Sequence, residues 1–113
     1  MKKIITISSA FFLFLVPTIL LGLTSLDEVE LGKAVYMKKC KMCHGADGNG
    51  NPAMARMLSV EFKSMSSVHI QSLDDESIAQ TIKKGKGKMA KVRNISDEDI
   101  AHVISYLRTL KED

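Results

Sequence analysis

Cys40-Lys41-Met42-Cys43-His44 constrains this chain more than any other stretch of it. Two thiols three positions apart, followed at once by histidine, form the C-x-x-C-H pattern of haem attachment. Each sulfur can form a thioether to a haem vinyl group, and the adjacent histidine is then held beneath the iron. The same residues could form a redox disulfide, but that reading expects a βαβ setting, and no segment has a convincing period-two run. A zinc site needs four ligands, and no second C-x-x-C or H-x-x-x-H supplies them.

The 113 residues leave room for one domain, and the N-terminal stretch is not part of it. Met1-Lys2-Lys3 followed by the apolar run from Ile4 to Leu23 has the charged start and hydrophobic middle of an export signal. Cleavage near Thr24 or Ser25 would remove it. The run is also long enough to stay as a membrane anchor, and it lacks an A-x-A site. Residues 1–25 are therefore a signal peptide or an N-terminal membrane anchor, and residues 26–113 are the domain. The expected location is exported: periplasmic or on the outer face of the cytoplasmic membrane. A domain of about 88 residues buries only a modest core. Beyond the signal its aromatic residues are Tyr36, Phe62 and Tyr106, and a bound haem would fill that deficit. The formal charge of +3 falls to about +1 without Lys2 and Lys3, which gives a nucleic-acid partner little support.

Helical periodicity organises the rest. Ser25-Leu26-Asp27-Glu28 resembles a capping box, and Val29, Leu31, Ala34 and Val35 predict a helix from about Asp27 to Lys39 that delivers the chain to Cys40. Gly45 to Pro52 is a loop, dense in residues that break regular structure. From Ala53 to Gln71 the pattern supports no more than a short helical turn. A further helix, capped by Ser72 or Asp74, carries Ile78 and Ile82 and ends at Lys83-Lys84-Gly85. The last starts at Ser96 and places Ile100, Val103, Ile104, Leu107 and Leu110 on one face. The expected fold is all-α, with three or more helices.

These residues resemble the class I cytochromes c over nearly the whole of the domain. In that family an N-terminal helix with a glycine and an aromatic four residues on, here Gly32 and Tyr36, crosses a C-terminal helix with an aromatic, here Tyr106. A glycine-rich loop follows the haem motif, here Gly45 to Gly50. A Gly-x-Gly-x-Met segment, here Gly85 to Met89, precedes the terminal helix. The resemblance implies a cytochrome c fold packed around one covalently bound haem c, with Met89 as the second axial ligand of its iron beside His44. This chain departs from the family at Ala90, where proline commonly follows the ligand methionine; the loop therefore has more backbone freedom.

Other residues have simpler roles. Met54, Met57 and Met65 read as adaptable core filler, although each could reach the iron if Met89 did not. His69 reads as a solvated loop residue and His102 as a helix residue. Pro52 either offers its carbonyl to the ring nitrogen of His44 or only shapes the loop. Asp47, Asn49 and Asn51 match the start of a calcium loop, but Pro52 stands where glycine is required and Leu58 where glutamate belongs.

The implied function is one-electron transfer between redox proteins, without a substrate to transform. A sensor or peroxidase-like haem protein, or a membrane-tethered subunit of a larger redox complex, is the alternative. Lys38 and Lys41 flank the haem motif, and Lys86, Lys88 and Lys91 surround Met89. Together they would give the crevice a basic rim that suits partners with acidic docking faces, or they are simply solvated.

Overall fold

The computed structural model describes residues 15–112, with side chains from Leu26 onward. Six helices follow in order: α1 (Leu15–Lys39), α2 (Lys41–His44), α3 (Pro52–Leu58), α4 (Val68–Gln71), α5 (Asp75–Lys84) and α6 (Asp97–Arg108). Among the described residues there is no strand, only an isolated bridge between Lys86 and Met89, so the all-α expectation holds. Residues 1–14 of the N-terminal signal or anchor lie outside the described residues, and of 15–25 only the backbone is described. No described helix is long and apolar enough to cross a membrane.

Helix α1 begins earlier than its sequence suggests. The capping pattern at Ser25 lies inside a helix that is already continuous at Leu15, the first described residue. Leu20, Leu21 and Leu23 are strong helix formers. A capping sequence stops being a helix start when the preceding residues continue the spiral.

The C-terminal half of α1 crosses α6, and the crossing is close because residue 32 is glycine. A Cβ added there would lie 1.8 Å from the His102 carbonyl oxygen. Four residues on, Tyr36 is fully buried, with its ring 5.3 Å from that of Tyr106. The core consists of Tyr36 from α1, Ile78 and Ile82 from α5, and Ile100, Val103, Ile104, Tyr106 and Leu107 from α6. The expected apolar faces of α5 and α6 are thus the faces that pack. Leu110 still packs against this core, but it lies beyond α6. Thr109 and Leu110 donate to Tyr106 and Leu107, three residues back, and these bonds tighten the end of the helix.

Side-chain caps set the other boundaries. Asp74, not Ser72, caps α5, accepting from the Ser77 amide at 2.6 Å. Ser96 and Asp99 form a reciprocal capping box on α6. The stretch 53–71 holds two short helices rather than one turn. Asn51 caps α3 with Pro52 in its first turn, and the Ser67 hydroxyl caps α4. Arg108 then fastens the α4–α5 link to α6, donating to the carbonyls of Gln71 and Leu73 and to the Asp75 carboxylate.

Candidate functional site

The C-x-x-C-H residues sit on one helical turn that continues from α1 after a single non-helical residue, Cys40. Its amide donates to the Tyr36 carbonyl, and its own carbonyl accepts from Cys43 and His44. Residues three apart on such a turn share a face, and both cysteines border one cavity. The following loop folds back on the motif: Gly50 donates to the His44 carbonyl at 2.7 Å and Asn51 to that of Cys43 at 2.9 Å. Asn51 also donates from its side-chain amide to the Met42 carbonyl at 2.9 Å. One residue therefore caps α3 and ties it to the cysteine turn. Tyr36 completes the frame by donating its hydroxyl to the Gly45 carbonyl at 2.7 Å.

A cleft opens above this turn in two lobes that share Cys40, His44, Met89 and Val92. The inner lobe, about 140 Å³, reaches the core at Tyr36, Ile78, Val103 and Leu107. The outer lobe, about 470 Å³, is lined by Cys43, Met54, Leu58 and Phe62 together with Lys86, Lys88 and Ala90. The structure thus brings together the four residues singled out by sequence, Cys40, Cys43, His44 and Met89. Met54 and Met65 each border one lobe, and Met57 borders neither. His69 is exposed on α4, and His102 lies half-buried on α6.

The chemistry of these groups suits a large apolar ligand bearing a metal. Burial lowers the pKa of His44, keeping the imidazole neutral as a metal ligand requires. Its Nδ1 is buried without a hydrogen-bond partner, so the Pro52 carbonyl does not receive it here, and Pro52 serves α3 instead. The ring is steadied by Phe62, whose centroid lies 5.5 Å away in an edge-on arrangement. Buried polar atoms are normally paired, and an orphaned ring nitrogen fits a histidine placed for ligation rather than for packing. Burial pushes the Cys40 thiol up to about 11. It is a protonated thiol at neutral pH, which disfavours metal thiolate chemistry and rapid disulfide exchange. Both cysteines are unpaired. These residues fit a covalently held haem.

Three contacts at the site were not foreseen in the sequence. Phe62 was only one apolar residue in an irregular stretch, although it was also one of three aromatics in the domain. Lys39 donates to the Arg93 carbonyl at 3.1 Å, and Lys88 donates to the Leu58 carbonyl at 2.7 Å; neither contact has a sequence signal. Lys38, Lys41, Lys86 and Lys91 are exposed, as a basic rim requires.

Comparisons with known proteins agree with this geometry. Residues 27–107 match the family described as cytochrome C oxidase, cbb3-type, subunit III. The chain is 37% identical over 82 residues to cytochrome c-553 of Desulfomicrobium norvegicum, covering 71% of this chain and 96% of that protein. A solved structure, the KustC0563 c-type cytochrome, aligns with a TM-score of 0.60 at 25% identity, covering 72% of this chain and 98% of the other.

Proposed function

The chain belongs to the c-type cytochromes, electron carriers that hold haem c covalently, and from that premise we propose that it is a one-electron carrier with His44 and Met89 as the axial ligands of the haem iron. Cys40 and Cys43 are the two thioether anchors. When bound, the haem supplies an iron that takes up and returns a single electron. The convergence of both thiols, the neutral His44 imidazole and the Met89 thioether on one apolar cleft carries this reading.

Each residue then has a defined task. The thioether anchors would hold the ring to the α2 turn. His44, wedged by Phe62, would give the iron a ring nitrogen. Met89 would give it a thioether sulfur, which favours the reduced iron and raises the potential. Ile78, Val103 and Leu107 keep water from the inner lobe. With His44 and Met89 both bound, the iron would offer no open position to a substrate, which supports a carrier over an enzyme. Cytochromes c work with redox partners. Lys38, Lys41, Lys86 and Lys91 would steer those with acidic docking faces. Residues 1–25 export the chain to the periplasm or the outer face of the cytoplasmic membrane, and residues 26–113 form the haem domain.

Purified mature protein should be red and should retain haem through acid-acetone extraction. Ferric protein should show a sulfur-to-iron charge-transfer band that Met89→Leu abolishes. Colourless protein from a host with intact cytochrome maturation overturns the assignment.

A second reading, a tethered subunit of a larger redox complex, is favoured by the family description, which names an oxidase subunit. The mass of the mature N-terminus distinguishes it from the free carrier.

A further inference from the structure

The segment from Gly85 to Val92 carries Met89 and lacks the stiffening proline, so its position depends on other contacts. Backbone hydrogen bonds hold it at two places. At the base, the Gly85 amide donates to the Thr81 carbonyl and the Val92 amide to the Ile82 carbonyl, each at 2.9 Å. Further along, Lys86 and Met89 exchange amide-to-carbonyl bonds of 2.9 and 3.0 Å, closing a hairpin around Gly87 and Lys88. Of these two residues only Gly87 has a positive φ, +57°, the pattern of a type II′ turn. The Ala90 amide makes no backbone hydrogen bond among the described residues. Gly87 meets nothing at the position of a Cβ, so the turn itself projects into open space.

One side chain reaches back from this tip. The Lys88 ammonium donates to the Leu58 carbonyl at 2.7 Å and to that of Ser59 at 3.4 Å. Both carbonyls belong to the C-terminal end of α3, where Ser59 turns left-handed at φ 52°. Carbonyls at a helix end lack partners within the helix, and a cation there is also favoured by the helix dipole. Leu58, Lys88 and Met89 all border the outer lobe, and the lysine links the two segments that carry them. Among the described hydrogen bonds, these two alone join the hairpin to α3.

We propose that Lys88 is a positioning residue for Met89: by gripping the end of α3 it holds the hairpin shut over the cleft and keeps the methionine directed into it. The inference rests on Met89 being an axial ligand. It assigns Lys88 a task distinct from that of Lys86 and Lys91, which are exposed like it but make no such contact. When the hairpin opens, the sixth coordination position becomes available to an external ligand. The apparent affinity for such a ligand then rises in proportion to the population of the open state.

The test uses ferric holoprotein and imidazole as the external ligand, titrated by absorption, with Lys88→Gln, Lys88→Arg, Lys86→Gln and Met89→Leu compared with the wild type. Lys88→Gln should keep the sulfur-to-iron band at neutral pH yet bind imidazole roughly fivefold more tightly, as expected for loss of one charge-assisted hydrogen bond. Lys88→Arg, which can still reach the carbonyls, should restore affinity to within about twofold of the wild type. Lys86→Gln removes the same charge from the same hairpin and should leave the affinity unchanged. Unaltered affinity in Lys88→Gln overturns the proposal, as does an equal shift in Lys86→Gln or a shift that merely follows the urea unfolding midpoint. If the band survives Met89→Leu, the ligand reading fails and the positioning role fails with it. If Met89→Leu abolishes the band while Lys88→Gln binds imidazole like the wild type, only the positioning role fails.

Discussion

The α1–α6 crossing and the outer wall of the cleft are built in opposite ways. At the crossing, backbone meets backbone through Gly32, and Tyr36 and Val103 are fully buried beside it. Nothing there depends on a long, mobile side chain. Across the outer lobe, α3 and the Met89 hairpin face each other and are joined by one lysine ammonium, and the side chains of Met54, Leu58 and Met89 between them are only half-buried. Close packing resists any change of shape, whereas an exposed polar contact gives way at small cost. The crossing is therefore a rigid frame for the cysteine turn, and on the role proposed for Lys88 the wall is a gate whose closure is separately adjustable.

The largest expected effect comes from forcing the crossing apart. Gly32→Val places carbon where the His102 carbonyl oxygen lies, and should cost about 3 kcal/mol of stability in denaturant unfolding. A loss comparable to that of an ordinary surface substitution would show that the helices separate easily and that the two regions are alike.

Tyr36→Phe removes one hydrogen bond at the foot of the frame and leaves the Gly45 carbonyl without it. The expected cost is about 1 kcal/mol. This variant also carries a pH signature. Burial above all holds the Tyr36 hydroxyl above its ordinary value of 10.0. The folded state therefore keeps the proton longer than the unfolded chain does. The stability contributed by the neutral phenol is whole below about pH 10 and is lost as pH rises above it. Unfolding curves at increasing alkalinity should fall more steeply for the wild type than for Tyr36→Phe.

Ala90→Pro acts on the gate and should stabilise. No backbone hydrogen bond is lost with the Ala90 amide, and proline restricts the preceding residue to extended geometry. The gain should be about 0.5 kcal/mol, visible as slower amide exchange at Met89 and Val92 with exchange in α6 unaffected. Faster exchange at Met89 would mean that the hairpin needs the freedom alanine provides.

The smallest effect belongs to neither region. Hydrogen bonds from Ser77 hold the Asp74 carboxyl below its usual range. Its contribution to α5 is present above the unfolded value of about 4 and is lost as pH falls through the lower folded one. Asp74→Asn keeps a capping oxygen but no titrating group, so it should flatten the acid limb of the stability curve slightly while leaving both the frame and the gate intact.

Much of the frame was legible in sequence because local spacing specifies it. Ile78 and Ile82 marked the buried edge of α5 and Gly85 its end, whereas the crossing at Gly32, Tyr36 and Tyr106 was expected only through the resemblance to the class I cytochromes c. The cysteine turn was legible because its chemistry depends on residues adjacent in the chain. Boundaries were less so: the capping pattern at Ser25 proved internal to α1, since a cap operates only where the helix before it stops. Leu110 kept its expected place against the core yet fell outside α6, because burial depends on position and not on helical backbone.

The sequence by itself determined the helical class and the motif at Cys40 to His44, which follow from residue type and short-range periodicity, while Met89 was a candidate only through the resemblance to the class I cytochromes c. Tertiary structure decided which contacts hold those residues in place. That Phe62 steadies His44, that Asn51 joins the cysteine turn to α3, and that Lys88 rather than Lys86 grips the end of that helix depends on side chains meeting across 9 to 30 residues of chain. Sequence patterns record a residue's relation to its neighbours along the chain. A lysine that finds a carbonyl in space differs from a solvated one only after the fold has closed.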